Sequence, residues 1–138
     1  MRFNTEEEIR ELAEKFEAAA IARNAWKHAE HLAVALVYVE DLGETAAVGR
    51  MRSGILNLLE NGFGLDLTKE MPYHETLTVF WIKTVAEFNA ANEGLSLLEK
   101  ANELIKTHDK DLPLRFYTRE LLFSDAARAK FLPPDIKN

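Results

Sequence analysis

Residues 25–41 read AWKHAEHLAVALVYVED, and the fold class turns on them. Their spacing predicts a helix that begins after Asn24, a good N-cap residue, and stops at Gly43. His28, Leu32, Ala35, Leu36 and Val39 make one stripe along it. Few side chains on the remaining faces are charged, so the helix is expected to lie centrally. A second segment of the same kind covers residues 72–93. It has Pro72 near its first turn and Gly94 just past its end, the asymmetry that marks helix termini. Its seam reads His74, Thr78, Trp81, Val85 and Phe88.

The flanking segments are amphipathic and carry their own start signals. Thr5 followed by Glu8 is a capping box that opens a helix with Ile9, Leu12 and Phe16 on one face. Residues 44–61 form another helix, with Gly62 in the C-terminal capping position. Ser96 and Glu99 make a second capping box, whose helix ends near His108. Thr118 and Ser124 look like caps of two short helical turns, and Pro133-Pro134 ends helix formation. No segment alternates as a strand would. The expectation is an all-α fold: a four-helix-type bundle with additional short C-terminal helices, as a single domain over residues 1–138.

The chain has 138 residues and a net charge of −6, so nucleic acid has no basic surface to meet. It contains no cysteine, which removes disulfides, thiolate metal sites and Cys nucleophiles. There is no long apolar run and no cleavable signal, so a cytoplasmic protein without a membrane partner is expected.

The polar residues of the two apolar segments carry the functional reading. His28 and His31 are three apart, roughly 60° around a helix, and so share a side. His74 heads the other seam beside Glu75. If the two helices pack, the three imidazoles converge near one end of the bundle. Three imidazoles and a carboxylate suit a divalent transition metal such as Zn, Fe, Ni or Mn. Glu75, or less favourably Glu30, is then a fourth ligand or a catalytic base for bound water. Trp26, Tyr73, Thr78 and Trp81 are the expected pocket walls.

Known metal motifs are absent. Residues 74–78 read HETLT, with Thr78 where a zincin needs its second His. Neither Glu30 nor Glu75 has a His three residues on, as di-iron bundles require. Residues 62–67 fail the dinucleotide fingerprint at Leu67, and no nucleophile elbow or P-loop occurs.

A plainer account gives each imidazole a carbonyl, Glu or Thr partner. In that account Glu75 only favours the positive end of a helix. Thr78 bonds its own backbone, and Arg52 or Arg119 pairs with the acidic surplus. Two functions stand side by side on this sequence. One is a metal-dependent enzyme of hydrolase or oxygenase type. The other is a non-catalytic small-molecule-binding or interaction module, with a homodimer as its natural assembly.

HAEHL (28–32), YHETLT (73–78) and FYTRELLFSDAARAKFLPPD (116–135) together resemble a group of small, uncharacterised all-helical bacterial proteins. Members of that group pair an H-x-x-H-L/V element with a Y-H-E-T segment. The resemblance points to His28, His31, Tyr73, His74, Glu75 and Thr76, and implies no particular reaction. The chain is also similar in architecture to DinB-like bundles, which hold a metal with three histidines. It departs from their spacing, because two of its histidines fall on one turn.

Overall fold

The computed structural model describes residues 2–136, which fold as helices joined by turns, with no strand among them. The α-helices are α1 (Glu6–Glu17), α2 (His28–Leu42), α3 (Glu44–Asn57), α4 (Glu75–Ala91), α5 (Leu97–Thr107), α6 (Arg119–Leu122) and α7 (Asp125–Ala129). No helix among the described residues is long and apolar enough to cross a membrane.

α2 is the centre of the packing and touches α1, α3, α4 and α5. Residues 32–39 are all buried, an uninterrupted stretch covering every face of the helix. Such a helix needs neighbours all round, and its own backbone bonds satisfy the polar groups it removes from water. α4 contributes Phe80, Trp81, Ile82 and Val85 to the same cluster. α1 adds Ile9, Ala13 and Phe16, while α5 adds Leu97, Ala101 and Leu104.

Several caps sit where the sequence placed them. Thr5 Oγ1 accepts the Glu8 N–H at 3.2 Å, and Ser96 Oγ accepts the Glu99 N–H at 3.1 Å. Thr118 and Ser124 cap α6 and α7 in the same way. Gly43 closes α2 and opens α3 at a φ of +83°, a conformation only glycine adopts cheaply.

Three boundaries differ from expectation. Residues 23–25 form a single 3₁₀ turn, so α2 starts at His28 rather than after Asn24. The Lys27 N–H donates to Glu30 Oε1 at 3.0 Å, which fixes that start from inside the helix. α4 begins at Glu75, because His74 takes the N-cap position in extended conformation. The helix predicted over 44–61 changes character at its end. Beyond Asn57 it continues as a π-turn over Leu58–Gly62, burying Leu58.

α1 and α3 approach at Gly54. A Cβ there would lie 2.2 Å from Phe16 Cε2, far inside van der Waals contact. Phe16 is fully buried and stacks on Trp26 with ring centroids 4.9 Å apart, so it has little room to yield. Gly54→Ala is therefore expected to cost about 2–3 kcal/mol through overpacking, despite alanine's better helix propensity. Urea unfolding of the variant measures this, and a stabilised Gly54→Ala would contradict the packing described.

Candidate functional site

The N-terminal turns of α2, the end of α3 with its π-turn, and the start of α4 enclose a cleft of about 350 Å³. Trp26, His28, His31, Tyr73, His74 and Thr78 all line it. Ile55, Leu59, Pro72 and Leu77 supply the apolar remainder of the wall, with Lys27 beside them. Two residues read from the sequence are elsewhere. Trp81 packs under His28, ring centroids 4.8 Å apart, and Glu75 turns away to Arg52.

Each imidazole has a distinct setting. His74 is buried, and its Nδ1 accepts the Leu77 N–H at 3.1 Å. The proton must then sit on Nε2, which donates to the Leu122 carbonyl at 2.6 Å. One side chain thus caps α4 and ties it to the end of α6. Burial holds its pKa below the usual imidazole range, consistent with the neutral tautomer. Thr78 Oγ1 donates to the His74 carbonyl at 3.1 Å, completing the turn.

His28 reaches across the fold. Its Nε2 lies 2.8 Å from the carbonyl of His108, which can only accept, so Nε2 is the donor. This bond anchors the C-terminal end of α5 to the first turn of α2.

His31 is different. Its Nε2 is buried and has no hydrogen-bond partner in the chain. The Trp26 ring meets it edge-on at 6.0 Å. Burial pushes its pKa down to about 4, with the neighbouring His28 acting in the same direction. At neutral pH it is an uncharged imidazole with an unused nitrogen.

Glu75 has no such freedom. Arg52 Nε and Nη2 donate to its two oxygens at 2.8 and 2.5 Å, and the Tyr73 hydroxyl donates to Oε1 at 2.5 Å. The Arg52 bonds hold the carboxyl below the usual carboxylate range, helped by the Tyr73 bond. Tyr73 in turn is pushed up, first by burial and then by its bond to Glu75. Glu30 is also committed. It is buried, pairs with Arg2, and closes the start of α2.

No family model, curated protein or solved structure matches the chain. The site is read on its own chemistry. Among the described residues, no group of three or more His, Asp or Glu side chains is placed to hold a metal ion. As a donor set the histidines are unequal: His74 has both nitrogens engaged, His28 has its Nε2 engaged, and His31 Nε2 is buried and unused. Lys27, Ile55, Leu59, Pro72 and Leu77 complete the lining, and the sequence reading singled out none of them as a site residue. The four-residue spacing of Ile55 and Leu59 on α3 and its π-turn is the signal that would have found that wall.

Two outcomes follow from these settings. His74→Ala removes a cap and strands the Leu122 carbonyl, for an expected loss of about 2–4 kcal/mol. His74→Asn should recover about 1 kcal/mol of this, since Asn caps well but cannot reach Leu122. Guanidinium unfolding of both variants checks the difference. The second outcome concerns pH. An unfolded chain protonates His31 near its ordinary 6.5, whereas the folded chain resists until about 4. Folding is therefore less favourable at pH 4 than above pH 6.5, on the order of 3 kcal/mol, because the unfolded chain gains a proton that the buried ring refuses. His31→Leu should flatten that part of the stability–pH curve, and an unchanged slope would show that His31 is not the group responsible.

Proposed function

We propose that the protein is a small-molecule-binding module whose site is the cleft between α2, α3 and α4. A single observation carries this reading: the buried, unpartnered Nε2 of His31 in an otherwise largely apolar wall. Leaving such a group unsatisfied costs about 1–3 kcal/mol, and native chains keep very few of them. A ligand toward which the ring turns to make a hydrogen bond would remove the cost. Of the three segments on which the family resemblance rests, residues 28–32 and 73–78 contribute to this wall and residues 116–135 do not. In this reading the scaffold is a four-helix-type bundle with α2 at its centre and short C-terminal helices closing one end.

The test is His31→Leu. Wild type and variant are screened against a small-fragment set by thermal shift and ligand-observed NMR. The expected result is a fragment that raises the Tm of wild type and leaves the variant unmoved. The variant itself should be as stable as wild type, or more stable by about 1 kcal/mol, at pH 7. A loss above about 2 kcal/mol, with no fragment bound to wild type, would make His31 a structural member and end the proposal.

A divalent metal is the other reading of the same histidines. It draws on His31, which is already in the neutral form that ligates, and on His28, whose Nε2 is committed to the His108 carbonyl. His74 would have to release two hydrogen bonds to join it. The expected outcome is less than a tenth of an equivalent of metal in untagged protein and no Tm change on adding Zn or Mn. Stoichiometric metal that disappears in His31→Leu would reverse the order of the two readings.

A further inference from the structure

We infer that residues 112–136 are a latch on the first turn of α4. The latch releases as one unit while α1–α5 stay folded, and its release loosens the cleft wall that His74, Leu77 and Thr78 carry. Residues 116–135, the segment of the resemblance that the cleft leaves unused, make up most of it.

The segment is stitched end to end. The Tyr117 hydroxyl donates to the Leu132 carbonyl at 2.6 Å, and the Ile136 N–H donates to the Phe116 carbonyl at 2.9 Å. The Asp135 carboxylate accepts the Thr118 N–H at 2.8 Å and the Thr118 hydroxyl at 2.7 Å. Between these bonds lie α6 and α7, of four and five residues, too short to persist without the frame around them. Such a segment is kept or lost as a whole.

Its grip on the rest is narrow. Only Pro113, Tyr117, Leu122 and Ala127 are buried within it, and Phe123 and Phe131 stay exposed. The middle of α2, by contrast, is enclosed by α1, α3, α4 and α5, so the core survives release of the latch. Among the described residues, the hydrogen bonds from the latch to α4 meet in one turn. Thr76 Oγ1 donates to the Lys130 carbonyl at 2.9 Å and accepts the Leu132 N–H at 3.1 Å, while His74 Nε2 donates to the Leu122 carbonyl. Upstream, His28 pins the carbonyl of His108, which leaves the exposed residues 109–111 as the hinge. The gripped turn has two sides: Thr76, fully buried, meets the latch, and His74, Leu77 and Thr78 line the cleft. When the grip opens, the His74 ring loses the bond that orients it as the cap of α4, and the turn is free to fray. The latch thus sets the cleft from the far side of α4.

Native-state hydrogen exchange on the full chain, read amide by amide at low urea, tests both parts. The amides of Tyr117, Leu122, Leu132 and Ile136 are expected to share one level of protection, at least about a hundredfold below that of residues 34–39 and with a shallower dependence on urea. Leu77 and Thr78 should join this faster group. Tyr117→Phe removes only the hydroxyl that holds Leu132, and it should lower the protection of the whole group by one common factor of about three- to tenfold. Thr76→Val, which cuts the grip itself, should act on the same amides together. Protection of the segment equal to that of α2 would mean that it opens only with the entire fold, and the inference fails. A response to Tyr117→Phe confined to Leu132 would show local fraying in place of a latch. If the segment responds as a unit while Leu77 and Thr78 keep their wild-type protection, the hold on the cleft is overturned.

Discussion

Everything else in this molecule hangs on the complete burial of the middle of α2. From residue 32 to residue 39 every residue is buried, with α1, α3, α4 and α5 packed around the helix. A helix enclosed in this way fixes the positions of its own ends. The N-terminal turn, with His28 and His31, emerges from the core where α3 and α4 also meet. The cleft is the place where the enclosure stops being complete. Its location follows from the length of the apolar stretch rather than from any property of the histidines.

The histidines then divide between those that brace the fold and one that does not. His74 and His28 act as cross-braces, each joining a helix terminus to a carbonyl far away in the chain. An imidazole suits this task because it donates and accepts from opposite sides of a rigid ring. His31 lines the same cleft, and its buried Nε2 holds no such brace. The contrast between used and unused nitrogens says more about the site than the number of histidines does.

The sequence revealed the helices well and the histidines poorly. Thr5, Gly43, Ser96, Thr118 and Ser124 cap helices locally, through bonds spanning a few residues, and local chemistry is readable in order along the chain. Asn24 misled because a preferred cap residue was present, while the actual start depends on the Glu30 carboxylate reaching back to Lys27. His74 was read as the head of a core seam, and it is buried, but it is also an N-cap, a role rarely filled by imidazole. The bonds from His28 to residue 108 and from His74 to residue 122 span 80 and 48 positions. No local pattern encodes them. Arg52 was expected to pair somewhere in the acidic surplus, and Glu75 was not foreseen as its partner, since charge alone does not choose one.

The π-turn at the end of α3 acts as a vernier between core and cleft. An α-helix rotates by about 100° per residue, so one extra residue in a turn re-aims everything near it by that angle. Here the widened turn lets Leu58 stay inside while Leu59 reaches the wall beside Tyr73 and Pro72. A chain shortened by one residue at this point would keep its helices and its core yet present a different surface to any guest. For this architecture, a one-residue insertion or deletion reshapes the cleft wall more directly than exchange of a side chain.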